Sequence, residues 1–305
     1  MERERMSMKT KKKASIRIGW DDITLSGLSY FITGFFAIIC VIPFLYVITY
    51  SISPYEEFLK HPFRIIPRVF SGSAYKMAFN YQYIWSGYAN TIFISFFGTF
   101  LSMILLVLTA YPLTKKDMKG RKAIMTLWVI TMFFGGGMIP NYFLIRSLGL
   151  LNNLWSMILP GLLGAYNLIL MINYIRGLPI SIEEAALIDG ANDAQVLFRV
   201  VLPLCLPILA TLGLFTVVGY WNSYFNAIIY LTKRNLWPLQ LVLREIVFES
   251  ASNEMQQGMA AEERVTPPFI LKMASIVIAT LPIMCVYPFL QKYFMRGLVL
   301  GGVKE

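Results

Sequence analysis

One histidine, three cysteines and a charged fraction of only 14% leave this chain of 305 residues poorly equipped for hydrolytic, metal or redox chemistry. The histidine, His61, stands in a segment between apolar runs, and a zincin motif needs a pair on one helix. Cys40, Cys205 and Cys285 are isolated within apolar stretches. That spacing supports neither a disulfide framework nor a zinc site, so they read as apolar fillers. No G-x-x-x-x-G-K-[ST] sequence occurs, so this chain does not bind ATP through a Walker A loop. A paired catalytic constellation is missing as well, which argues against an intramembrane hydrolase. No cofactor motif, low-complexity segment or clear internal repeat is present.

What the sequence has in excess is apolar length. Hydrophobic residues make up 57% of it, the profile of a polytopic membrane protein. Six apolar runs, approximately 28–50, 88–113, 123–146, 153–175, 204–231 and 272–293, are each long enough for a transmembrane helix of about 20 residues. The expected fold class is therefore all-α, a bundle of six transmembrane helices. The net charge is +10. A basic excess can signal nucleic acid, but here it gathers beside the apolar runs. Lys9, Lys11, Lys12, Lys13 and Arg17 precede the first run, and TKKDMKGRK (114–122) follows the second. Positive loops stay in the cytoplasm, which predicts an N-in, C-in topology and membrane lipid as the surroundings. Residues 1–27 then form a cytoplasmic N-terminal segment, 28–297 the transmembrane domain and 298–305 a cytoplasmic tail. The first run is too long for the core of a cleavable signal peptide.

Two longer segments, 51–87 and 232–271, fall outside on this count. The first holds Pro54, Pro62 and Pro67 with Tyr75, Tyr81, Tyr83 and Trp85; the second holds Trp237, Pro238 and a mixed-charge stretch. Their aromatic content predicts ordered lids that meet another protein.

No ionisable residue lies deep in any run, which weakens a proton- or ion-coupled carrier. The interior offers neutral polarity beside aromatics instead. The third run is interrupted by Gly135-Gly136-Gly137 and by Pro140-Asn141. Such a break is tolerated only against protein or a watery cavity. In the fifth run, Asn222 and Asn226 are four apart and so predicted on one helical face, flanked by Tyr220, Trp221 and Tyr224. Amides bond hydroxyls, and aromatic faces cover the C–H faces of a sugar ring. With Asn141, Tyr166 and Asn167 these residues make a candidate substrate path. Two other uses stay open: Trp and Tyr also mark the membrane interface, and Asn also bonds helix to helix.

Between the fourth and fifth runs lies a polar island, Ser181–Pro207, reading SIEEAALIDGANDAQVLFRVVLPLCLP. Ser181 and Glu184 have capping-box spacing, so a helix is expected to begin there. Gly190 is placed to end it in a left-handed turn. Asn192 or Asp193 is placed to cap a second helix reaching Pro203.

Glu184-Ala185-Ala186, Asp189-Gly190-Ala191 and Leu202-Pro203 together resemble the EAA loop of ABC-importer permeases. GGGMIPNYFLIRSLGLLNNLW (135–155) and the ending YPFLQKYFMRGLVLGGVKE (287–305) resemble the sugar-importer branch, within it the second-permease type found in the maltose importer. The likeness is greatest to importers of polysaccharide fragments, the alginate type among them. The resemblance implies that residues 179–203 form a coupling loop, with Glu183, Glu184, Ala185, Ala186, Asp189, Gly190 and Ala191 meeting a cytoplasmic ATPase. It also implies a second homologous permease, an ATPase homodimer, an extracytoplasmic solute-binding protein and an oligosaccharide substrate. The implied site is the bacterial cytoplasmic (inner) membrane. ATP and Mg would belong to the partner ATPase, with no cofactor in this chain and no enzyme activity of its own. The tail would reach the ATPase pair. The competing expectation is a stand-alone secondary carrier or channel for a neutral solute, which has no need of the 179–203 spacing. A membrane sensor or scaffold is a third.

Overall fold

The computed structural model describes residues 20–61, 64–257 and 268–302, and every regular element among them is helical. The first helix, α1, is Trp20–Ser51, followed by two short helices, α2 (Tyr55–Lys60) and α3 (Ser73–Phe79). The long α4 (Ile84–Thr114) comes next. α5 (Arg121–Phe133) and α6 (Met138–Ser147) are bent by 117° at the glycine triplet. Gly137 makes that joint with φ +83°, a conformation side chains with a β-carbon resist.

α7 (Trp155–Ile158) tightens into a 3₁₀ turn and meets α8 (Ala165–Arg176) at a 50° bend. Then come α9 (Ile180–Ile188) and α10 (Asp193–Gln195), a π turn at Val196–Val201 and α11 (Leu202–Leu204). A 75° bend leads into α12 (Leu206–Trp221). The chain continues through α13 (Phe225–Tyr230), α14 (Leu239–Gln257) and α15 (Pro268–Gly302).

Three stretches are single helices long and apolar enough to cross a bilayer: Thr24–Ser51, Ile84–Thr114 and Phe269–Val286. The three bent pairs bring the number up to six, in line with the six apolar runs.

α4 is the axis of the packing, with α12, α8 and α14 against it. At the end that carries α9, Leu106, Val107 and Leu113 of α4 close on Leu168, Met171 and Ile175 of α8. Val196, Leu197 and Val201 of the π turn complete that cluster. At the opposite end Leu239, Val242 and Ile246 of α14 pack with Ile84, Trp221 and Leu271. α1 packs against α15, and its side chains are exposed along most of its apolar stretch, becoming buried only at Thr49–Ser51.

The fifth run is not one helix, as expected from its length. α12 stops at Trp221 and α13 begins at Phe225. Asn222 and Asn226 therefore do not share a helical face. The polar Asn222-Ser223 pair takes over the cap: the backbone N–H of Asn222 still bonds Val218, and that of Ser223 turns back to Tyr220.

Among the described residues, the segment 51–87 carries the short helices α2 and α3, and the segment 232–257 carries a 3₁₀ turn and the 19-residue α14. Asn90 donates to the carbonyls of Asn235 and Trp237, and the Leu239 N–H bonds Thr91 Oγ1 at 2.7 Å. Glu245 pairs with Arg234 at 2.8 Å and accepts from the Tyr81 hydroxyl at 3.0 Å. Burial first, then this carboxylate, pushes the Tyr81 pKa well above the ordinary tyrosine value.

The glycine pair 301–302, read from sequence as a turned or extended path, is still helical at the end of α15. No proline interrupts Arg296–Leu300, and the helix runs through Gly297 as well. The cationic tail before Trp20, the middle of the second lid (258–267) and residues 303–305 lie outside the described residues.

Candidate functional site

Two features stand out: a two-helix loop at one end of the bundle and a polar cavity within it.

The loop begins with a correction. α9 starts at Ile180 with Pro179 as its N-cap (φ −61°, ψ 120°), and no side chain caps it. Ser181 and Glu184 lie inside the first turns and form no capping box. Proline sets the entry dihedral itself, so the helix starts before Ser181 can serve as a cap. The far end follows the sequence reading. Gly190 has φ +84°; its N–H bonds Leu187 O at 3.0 Å, while the Ala191 N–H bonds Ala186 O at 3.0 Å. That pair of bonds is a Schellman motif, and glycine is favoured there for its backbone. A reciprocal capping box does exist, three residues further on. Asn192 Oδ1 accepts from the Gln195 N–H at 2.9 Å, and Gln195 Oε1 accepts from the Asn192 N–H at 2.9 Å. Gln195 was missed in the sequence, although N-x-x-Q is the pattern to look for.

The loop residues divide by face. Glu184, Ala185, Leu187, Asp189 and Gly190 are exposed, and Ile188 is 86% exposed. Ala186 and Ala191 instead pack on the cluster beneath. Glu183 is half-buried and forms an ion pair with Lys115, the residue that caps α4. The adjacent acids thus meet different surroundings, as a 100° step per residue allows.

The cavity has a volume of about 680 Å³. It lies among α6, the turn after α7, α8, α12 and α13, and its mouth is open. Asn141, Asn167, Tyr220 and Asn226 meet there, four of the eight residues read from the sequence. The Tyr220 hydroxyl donates to Ile158 O at 3.1 Å.

The other four are elsewhere. Trp221 is buried between helices, and its Nε1 donates to Ala279 O at 3.0 Å. Asn222 accepts from Gln240 at 3.2 Å. Tyr224 lies under the Arg244 guanidinium, and Tyr166 is exposed outside the lining.

Thr216, Ser223 and Tyr230 line the cavity and were missed. Thr216 and Tyr220 follow an i, i+4 spacing within α12, so their shared face was readable from period alone, whereas Ser223 lies past the end of that helix. Among the described residues, no acidic or basic side chain lines the cavity. Its chemistry is that of amides and hydroxyls, suited to the hydroxyl groups of a sugar.

Residues 17–299 match the family model described as "Binding-protein-dependent transport system inner membrane component". The polygalacturonan/rhamnogalacturonan transport system permease protein YtcP of Bacillus subtilis is 44% identical over 269 residues, covering 88% of this chain and 94% of that protein. Protein LplC of the same organism is 41% identical over 266 residues, covering 87% of this chain and 90% of its own. Among solved structures, a chain of a bacterial ABC transporter involved in import of the acidic polysaccharide alginate superposes with a TM-score of 0.79 at 33% identity. It covers 90% of this chain and 98% of its own. A six-run helical bundle with its family match across nearly the whole length, this chain belongs to the binding-protein-dependent transport system inner membrane components and is a multi-pass transport permease.

Proposed function

We propose that this permease is one of two homologous membrane subunits in an ATP-driven importer of oligosaccharides, of the kind released from uronate-rich polysaccharides. The substrate class rests on the polygalacturonan and alginate systems named for its relatives. The observation that carries the role is the outward face of α9. Glu184, Leu187 and Ile188 project from a helix locked at its far end by the Gly190 turn, and they are exposed among the described residues. Ile188 at 86% exposure is the kind of apolar residue that marks a partner surface.

In this reading α9 is the coupling helix, and Glu183, Glu184, Ala185, Ala186, Asp189, Gly190 and Ala191 belong to the part that meets an ATPase dimer. ATP and Mg are held by that dimer, and this chain contributes no catalytic group. A solute-binding protein delivers sugar at the opposite end, against α2, α3 and α14. The chain lies N-in and C-in in the bacterial cytoplasmic membrane. Sugar passes the cavity lined by Asn141, Asn167, Tyr220 and Asn226, where amides exchange hydrogen bonds with ring hydroxyls. Alternating access follows if ATP and loaded binding protein each favour one state, since a ligand shifts an equilibrium only by differential binding. A stand-alone carrier is not favoured, because it has no use for the exposed α9 face.

The test is purification of the tagged permease from its own host membrane, then ATPase assay in proteoliposomes with oligogalacturonate and the co-purifying binding protein. Saccharide-stimulated hydrolysis is the expected result. A chain that purifies with no ATPase and transports sugar alone would overturn the reading.

A further inference from the structure

The Lys115–Glu183 pair links two elements whose other contacts point in different directions. Glu183 comes from the first turn of α9 and is half-buried, whereas its neighbour Glu184 is exposed. Lys115 is the residue at which α4 ends. Its Nζ also lies 4.5 Å from the centre of the Tyr111 ring, one turn back in α4. Both partners are partly shielded, with side-chain exposures of 30% for Lys115 and 17% for Glu183. Burial works against the Lys115 ammonium, yet the Glu183 carboxylate and the Tyr111 hydroxyl hold its pKa above the ordinary lysine value. A second link runs alongside: Arg176, at the end of α8, donates to the Leu113 carbonyl at 3.2 Å. That carbonyl is among the last in α4, which have no partner within the helix.

α4 carries this attachment a long way. From Lys115 to Gly98 is 17 residues, about 25 Å of continuous helix. At Gly98 the helix backbone lies directly against the ring of Tyr220, which lines the cavity. One rigid element therefore has the inner face of α9 at one end and a cavity wall at the other.

We propose that Lys115 is a positioning residue for coupling: through Glu183 it fixes α9 to the end of α4, so that displacement of α9 is delivered to the cavity. This rests on the reading of α9 as the ATPase-facing helix, and deepens it by separating the two acids. Glu184 meets the partner; Glu183 holds the lever. The Arg176 link retains α9 near α4 when the ion pair is lost, so removing it loosens the joint without freeing the loop.

The experiment uses the complete complex in nanodiscs, with oligogalacturonate as the probe saccharide. It compares Lys115→Met, Glu183→Lys, the exchanged pair Lys115→Glu with Glu183→Lys, and Glu184→Lys. For Lys115→Met, the ATPase is expected to co-purify at the normal ratio while stimulation by loaded binding protein falls roughly three- to tenfold, the range of a half-shielded charged bond. The exchanged pair is expected to regain most of it. A merely structural role would lower assembly and thermal stability together and leave the stimulation ratio of the surviving complex unchanged, which would overturn the proposal. So would failure of the exchanged pair to recover. Glu184→Lys separates the two readings. If it loses the ATPase while Lys115→Met keeps full stimulation, only the lever falls. If Glu184→Lys keeps both docking and stimulation, the coupling role of α9 falls with it.

Discussion

The ring of Tyr220 occupies the space beside Gly98 so fully that a β-carbon at position 98 would come within 2.6 Å of it. This contact joins α4 to α12 and fixes one wall of the cavity, because the same tyrosine is tied to Ile158 by its hydroxyl. Gly98→Ala is therefore expected to push the ring away and to cost about 1–3 kcal/mol, as over-packing of a close contact does. Tyr220→Phe keeps the ring and loses one hydrogen bond, about 1 kcal/mol. Thermal unfolding in detergent would rank them. An alanine at 98 as stable as wild type would mean that the helices separate without resistance.

Cavity and packing residues are expected to behave differently. Asn167→Leu and Asn226→Leu remove amides from the cavity lining and should alter which oligosaccharides are carried, with assembly intact. Trp221→Ala should instead lower stability by about 3–5 kcal/mol, since its indole is buried and bonded to Ala279. Competition between saccharides in a transport assay separates specificity from amount of protein. A specificity change from Trp221→Ala at normal expression would count against this division.

Gly190→Val places a β-branched residue at φ +84°, expected to cost about 1–2 kcal/mol locally. Space is not the issue, because a β-carbon at 190 would meet nothing within 4 Å. Gly190→Asn should be much milder, as asparagine tolerates that conformation. The readout is ATPase retained on the purified permease: reduced for valine, near normal for asparagine. Equal retention for both variants would argue that the turn is irrelevant to docking.

A deletion within α14 is not a clean test of binding-protein contact. Leu241, Val242, Leu243 and Ile246 are core residues, so the deletion should destabilise the bundle. Arg244→Ala is the better probe, since this cation lies on the exposed side, over Tyr224 and Phe248. It is expected to raise the binding-protein concentration needed for half-maximal ATPase stimulation, without loss of stability. An unchanged half-saturation would remove α14 from the proposed docking surface.

Local signals were legible in the sequence and convergent ones much less so. Gly190 could be read because a helix that meets Asp-Gly has few ways to stop. The 135–137 triplet could be read because three glycines cannot continue a helix in comfort. Ser181 misled, since Pro179 two residues earlier already sets the entry. The stop at Trp221 was marked only by the polar pair Asn222-Ser223, which within a long apolar run reads equally well as part of a polar helical face. Asn141, Asn167 and Asn226 come from three different elements, and only the folded bends bring them together. The Lys115–Glu183 pair spans 68 residues and has no sequence signature at all.

α1 has more length than a bilayer uses. Its apolar stretch of 28 residues rises about 42 Å, against a hydrocarbon thickness of about 30 Å. The surplus falls partly at its last turn, where the side chains change from lipid-like to fully enclosed. There the Tyr50 hydroxyl holds His61 O at 2.7 Å, Ser51 Oγ meets the Tyr75 hydroxyl at 2.8 Å, and Ser71 N–H bonds Ile52 O at 2.7 Å. The segment from α2 to α3 hangs from that turn as from a mast. Tilt of α1 in a thinner or thicker membrane and the height of this segment above the surface are consequently a single mechanical variable.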